Sequence, residues 1–429
     1  MQTGHGAGGF GELRREWRIL PPCLAGITLC SVHGYSLGVM IVPLEQEFGW
    51  TRAEISGGMF IISLIALFAA PMSGFATDRF GPRRIALFGI PLFGGCLALL
   101  SMATANIASW WGLWALLAVG NMFLLPTVWT KAINGRFDAN RGIALAIALC
   151  GTGIAAAFVP SLTNWLIADF GWRNAYVGLG LIGVVTVFPL AWFLFRPDSP
   201  VADAAPAVAQ AATPAPDSSG VSARQGYTMP SFIKMAAAIW LFSAAICALT
   251  TNAVPVLLSR GMTPATAAGL AGLLGIGSIL GRIGGGFLLD RFDAGKVAAL
   301  SVTLPAVAVL LLLAFPGDVA AGLACLIVGL GIGTEVDCCA YLAARHFGLR
   351  SFGTLFGTLN GLMLFGNGIA PVLANHVYDV TRSYEIVLWF QIPACLGTAL
   401  LFLWLGPYPS FTGEGGAEAE PTPPRPATA

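Results

Sequence analysis

Three charged residues sit where this 429-residue sequence is otherwise apolar: Arg282, Glu335 and Asp337. Nearly every other charge lies at the end of an apolar run or between runs. A charge stranded at membrane depth costs about 3 kcal/mol or more, so such groups pair or line a water-filled path. On helices, Arg282 lies about 12 Å before Asp290, and Asp337 about 12 Å before Arg345, at roughly 1.5 Å per residue. The depths match, so an ion pair between two segments is possible. Glu335 and Asp337 point about 200° apart on one helix, so only one of them faces Arg282 directly. Loss of water favours the protonated form of a carboxyl, and a neighbouring guanidinium opposes it. The set could therefore exchange protons; a static salt bridge would use the same residues. Further polar or amphipathic side chains lie within apolar runs: His33, Tyr35, Asn121, Trp129, Thr251, Asn252, Asn360 and Asn367.

No nucleophile–base pair, metal-ligand cluster or phosphate loop stands out, so no enzyme activity, cofactor or metal is expected. The nine cysteines all fall in apolar stretches without Cys-x-x-Cys spacing and read as small buried side chains. The Gly-rich runs near residues 275 and 330 follow no strand, so they are not dinucleotide loops. Instead, Gly277, Gly281 and Gly285, like Gly353, Gly357 and Gly361, recur every four residues, as helix-packing stripes do.

The elements that carry these residues follow from composition. Only 10% of residues are charged and 56% are hydrophobic, with a mean hydropathy of +0.77. Soluble proteins carry about 25% charge, so the chain belongs in a lipid bilayer, and no basic run suits nucleic acid. Arg14, Arg15 and Arg18 precede a long apolar stretch with no small-residue cleavage site, which reads as a retained first span. A crossing helix needs about 20 apolar residues. Twelve such runs are expected, at 19–44, 53–76, 84–105, 108–132, 141–168, 173–195, 232–258, 265–289, 296–315, 319–344, 352–379 and 385–406. Residues 196–230, rich in Ala, Pro and Ser, read as a cytoplasmic linker, and 411–429 as a disordered cytoplasmic tail. With the N-terminus inside, only Arg52, Arg173, Arg260 and Arg382 fall outside, so both termini are expected in the cytoplasm.

One motif repeats. Gly-Phe-x-x-Asp-Arg-Phe occurs at Gly74–Phe80 and again at Gly286–Phe292, closing the second span of each half. The fold expected is all-α and integral to the membrane: twelve transmembrane helices in two six-helix pseudo-symmetric bundles, 1–195 and 231–410. Parallel halves of this kind belong to transporters with a substrate site between them.

The stretch from Gly74 to Arg84 resembles the signature loop of the major facilitator superfamily, Gly-x-x-x-Asp-Arg-x-Gly-x-Arg-Arg, and the second copy resembles its degraded form. The resemblance implies a gate. Asp78 and Asp290 would face the positive N-terminal ends of helices in the opposite half, near Ser351 and Arg141. Arg79, Arg83, Arg84 and Arg291 would pair across the same seam, and Gly74 and Gly286 would let the helices approach.

A narrower likeness joins Arg141, Gly142, Ala144, Gly151 and Gly153, with the Gly-Trp-Arg run at 171–173, to the bacterial monocarboxylate and oxalate branch. By its place, Arg282 is similar to the arginine that holds the substrate carboxylate there, a task a guanidinium fork suits. Four residues earlier, where mammalian members carry a proton-coupling acid, this chain has Ser278. The proton then falls to Glu335 or Asp337. The superfamily's cavity-lining spans favour His33, Tyr35, Trp129 and Asn252 as substrate contacts, with Asn360 beside them. The implied function is proton symport of a small organic anion by a monomer in the inner (plasma) membrane. The alternative on the same fold is a proton-driven exporter of amphipathic compounds.

Overall fold

The computed structural model describes residues 9–137, 140–195, 220–348, 350–406 and 408–409, with residues 9, 10, 70, 71, 290, 336 and 337 described by backbone alone. Most of the expected linker (196–219), the tail from 411, and the side chains of Asp290 and Asp337 lie outside the described residues.

The described residues form sixteen α-helices and two short 3-10 helices, at Trp17–Ile19 and Leu100–Met102. The first half holds α1 (Gly9–Glu16), α2 (Leu20–Phe48), α3 (Arg52–Phe80), α4 (Pro82–Leu99), α5 (Ile107–Met122), α6 (Pro126–Asn134) and α7 (Arg141–Leu194). The second holds α8 (Ala223–Thr228), α9 (Pro230–Thr251), α10 (Ala253–Ser259), α11 (Pro264–Ala271), α12 (Leu273–Arg291), α13 (Ala294–Ala314), α14 (Asp318–Phe347), α15 (Phe352–Thr381) and α16 (Glu385–Leu403). Helix is the form an apolar chain takes in lipid, because it satisfies its own backbone groups.

These helices make twelve crossings once the interruptions are read. α7 holds two of them, turning at Gly171, whose φ of 77° and ψ of 162° are not helical. The fourth crossing breaks before Pro126 into α5 and α6. The seventh breaks at Asn252 because Pro255, three residues on, has no N–H to offer the Thr251 carbonyl. The eighth is split at Gly272 into α11 and α12.

Each half has its own core. In the first, Trp110, Trp114, Trp129 and Tyr176 are fully buried among apolar side chains from all six crossings. In the second, backbone approaches backbone. A Cβ on Gly277 or Gly281 would stand 2.2 Å from the carbonyl of Leu326 or Leu330, and one on Gly329 or Gly333 would meet Leu274 or Ser278 at 2.2 or 2.1 Å. The stripe expected at Gly277, Gly281 and Gly285 therefore packs α12 on α14. The stripe expected at Gly353, Gly357 and Gly361 is looser: Gly357 faces open space, and Gly361 meets only Leu67.

The end of the linker is ordered. The Val221 amide donates to the Phe347 carbonyl at 3.0 Å, Ser222 and Gln225 form a capping box for α8, and the Tyr227 and Thr358 hydroxyls share a 2.8 Å hydrogen bond. The last residues of the expected linker thus dock on the second bundle.

Candidate functional site

The bundles meet along three seams, all toward the face where α2 ends and α3 begins, called here the distal face. Along α3 and α15, Asn375 bonds Ser56, the Phe60 and Phe365 rings lie 6.2 Å apart, and Gly368 packs on Ser63. Along α7 and α12, a Cβ on Gly275 would stand 2.1 Å from the Gly153 carbonyl and 2.3 Å from the Ala157 amide nitrogen. Between α2 and α9, one on Gly38 would meet the Thr251 carbonyl at 2.2 Å. That is the carbonyl which Pro255 leaves without a helical donor.

On the opposite, terminal face no described hydrogen bond or ion pair joins the two bundles. Gly74, Gly142 and Gly286 have open space where a Cβ would be, and Phe68, Met72, Phe75 and Ile283 are exposed. Gly74 and Gly286, expected to permit close approach, approach nothing in this conformation.

The described partners of the expected gate residues lie within their own bundles. Asp78 forms an ion pair with Lys131 of its own bundle rather than reaching the start of α15. Arg83 donates to the carbonyls of Phe195 and Trp192 at the end of α7, again in its own bundle. Arg79 lies over the Phe80 ring and Arg291 over the Phe287 ring, each a near neighbour in sequence. Arg84 is exposed, and Arg141 donates to Phe137 at 3.1 Å. Asp78, Arg79, Arg83 and Arg291 thus have described partners within their own bundles.

Of the expected substrate contacts, Tyr35 and Arg282 come within electrostatic range of each other across the two bundles. Arg282 is half-buried on α12. Its backbone is held by the α12–α14 packing, since a Cβ on Gly333 would stand 2.7 Å from the Arg282 nitrogen. One residue on, Thr334 Oγ1 donates to the Gly281 carbonyl at 3.0 Å.

Glu335 shares a neighbour with Tyr35, since Cys247 on α9 lies within electrostatic range of both. Glu335 is 7% exposed and also lies within electrostatic range of Cys395 on α16, inside the second bundle. Its Oε1 has no hydrogen-bond partner among the described residues, and no described ion pair joins it to Arg282.

The remaining candidates face other neighbours. His33 points into the first bundle, its ring 6.1 Å from both Phe93 and Trp114. Trp129, expected to line the cavity, is a core residue: its indole donates to the Leu124 carbonyl at 3.1 Å and its ring fills the space over Gly26. Asn252 is buried at the α9–α10 break, with Nδ2 donating to the Ala248 carbonyl at 2.8 Å. Asn360 is exposed on α15. Amphipathic character placed these residues at useful depths, but packing chose the face each one shows.

The sequence reading missed a polar cluster at the distal end of the α3–α15 seam. The backbone amides of Arg52 and Ala53 donate to the two carboxylate oxygens of Asp379 at 3.0 and 2.9 Å. A signal was present, because Arg52 and Arg382 are two of the few basic residues assigned to that face.

Comparisons with known proteins agree with this architecture. The family model described as Major Facilitator Superfamily matches residues 24–371. The 4-hydroxybenzoate transporter PcaK of Pseudomonas aeruginosa is 24% identical over 417 residues, covering 90% of this chain and 92% of its own. The gallate transporter of Pseudomonas putida is 25% identical over 407 residues, covering 83% and 88%. Monocarboxylate transporter 13 of Bos taurus is 24% identical over 353 residues, covering 81% and 79%. Among solved structures, a bacterial homologue of the human lysosomal transporter Spinster, inward-facing and occupied, superposes with a TM-score of 0.65 and 17% identity over 92% of this chain and 95% of that one. Two six-helix bundles, a repeated signature loop and a family match over most of the sequence lead to one assignment: this chain is a multi-pass membrane transporter, not an enzyme, and it belongs to the Major Facilitator Superfamily.

Proposed function

We propose that the chain carries a small organic anion bearing a carboxylate across the membrane by proton symport, opening its site to the two faces in turn. The observation that carries this reading is Arg282, held on a closely packed helix pair and within electrostatic range of Tyr35 of the opposite bundle. A guanidinium fork binds a carboxylate through two parallel charge-assisted hydrogen bonds. The names of relatives support an aromatic acid as cargo, since 4-hydroxybenzoate and gallate are both aromatic carboxylates. The proton is carried by an acid of α14, Glu335 or Asp337, so that anion and proton cross together with little net charge. The carrier works as a monomer in the inner membrane, with its terminal face toward the cytoplasm.

Purified protein in proteoliposomes tests this directly. Labelled 4-hydroxybenzoate, gallate and lactate are supplied outside, with and without an inward proton gradient. We expect at least one acid to accumulate, with initial uptake roughly tenfold faster under the gradient, and the gain to vanish when a protonophore is added. Gradient-driven extrusion of an uncharged or cationic amphipathic dye, with no acid accumulated, would replace this reading with that of an exporter.

A further inference from the structure

We propose that Asp379, Arg52 and Tyr384 form a latch that holds the distal face shut, and that releasing it is a required step in opening the carrier to that side. The proposal goes beyond the cargo and stands whatever the substrate is.

A helix leaves four backbone N–H groups without partners at its start. In α3 those belong to Thr51, Arg52, Ala53 and Glu54. Two are met within the first bundle: Thr51 N–H donates to the Glu54 carboxylate at 2.9 Å, and Glu54 N–H to the Thr51 hydroxyl at 3.2 Å. The other two, of Arg52 and Ala53, donate to Asp379 at the end of α15 in the second bundle. The end of one bundle's helix is completed by the other bundle's carboxylate, with the positive end of the helix dipole favouring that charge. Separation of the bundles returns both amides and the carboxylate to water, so the bond can break without orphaning a buried group.

The Arg52 side chain adds a second tie. It is 8% exposed, lies 3.8 Å over the Tyr378 ring, donates to the Tyr384 hydroxyl at 3.1 Å and is held from its own side by Glu45 at 3.0 Å. Tyr384 in turn donates to Asn375 Oδ1 at 2.7 Å, and Asn375 Nδ2 donates back to Ser56 of the first bundle. Arg382 stands 3.9 Å from Glu45. Below this cluster the α3–α15 seam continues through Phe60, Phe365 and Gly368, without described charges.

Amide hydrogen exchange on the full-length chain in lipid nanodiscs reads the latch. In Asp379→Ala, exchange is expected to rise about tenfold in the peptide containing residues 52 and 53. It should rise as well at the distal ends of the other seam, in peptides 157–170 and 264–272, because the whole face opens. Asp379→Asn keeps an acceptor oxygen but no charge, and Tyr384→Phe loses only a hydroxyl; each should give about a threefold rise in the same places. Peptides 277–285 and 329–334, packed within one bundle, should not change, which separates opening from unfolding. A rise confined to residues 52 and 53 in all three variants would show a local helix cap and overturn the proposal, as would no rise at all. Neither outcome bears on uptake in the acid panel, so the two readings fail separately.

Discussion

Replacing Arg282 with Lys is expected to reduce carboxylate uptake by about 100-fold or more, while the protein still inserts and purifies in normal amount. The substitution keeps the positive charge and the cost of burying it, so the membrane helix should form as before. What it removes is the fork. A lysine ammonium is a compact point charge with rotating donors and cannot grip both carboxylate oxygens in one plane. Losing such a pair of charge-assisted bonds is worth about 3 kcal/mol, and each 1.4 kcal/mol is about a factor of ten. The backbone around Arg282 cannot shift to help the shorter contact, because Gly281 and Gly333 press α12 and α14 together at that level. Initial rates in proteoliposomes, matched for protein, measure the effect. Uptake within a few-fold of the unaltered protein would mean that Arg282 does not hold the cargo.

A second large effect should separate two kinds of glycine. A valine at Gly281 would drive its side chain into the Leu330 backbone, with the first carbon 2.2 Å from the carbonyl oxygen. Both residues belong to the second bundle, so the clash persists in any conformation where that bundle moves as one body. Overpacking of this kind costs about 3 kcal/mol, and Gly281→Val should lose most of its folded, monodisperse protein. Gly275→Val meets an equally close backbone, Gly153 and Ala157, but that backbone lies in the other bundle. The clash exists only while the distal face is shut. Gly275→Val should therefore fold, fail to transport, and show raised hydrogen exchange at the distal ends of α3 and α15. Equal loss of folded protein in both variants would contradict movement of the bundles as rigid bodies.

Much of the fold could be read in the sequence because hydropathy is a property of each segment by itself. Twelve apolar runs, the repeat at Gly74 and Gly286, and the turn residues between runs needed no knowledge of neighbours. The α5–α6 and α9–α10 breaks were written there too, in Pro126 and Pro255, although the spans were read through them as continuous.

Depth along a helix was equally legible, which is why Arg282 and the acids of α14 stood out. Rotation about the helix axis was not. Which face of α2 carries His33, and whether Trp129 looks into a cavity or onto Gly26, depends on how side chains of two helices interlock. Helical period names a face but not its neighbour. For the same reason, depth left open whether Glu335 or Asp337 faces Arg282; in the structure Glu335 is buried within electrostatic range of Cys247 and Cys395.

By itself the sequence determined the membrane class, the two halves and the residues too costly to bury without purpose, since each of these follows from transfer energies along a single chain. Only the tertiary structure decided which face is shut, that Asp78 pairs with Lys131, and that Asp379 completes the start of α3. Those outcomes depend on contacts between residues far apart in sequence, 53 positions for Asp78 and Lys131 and 327 for Arg52 and Asp379. They also depend on which of two faces, each closed through its own helix ends, is the one held shut, and no segment carries that balance alone.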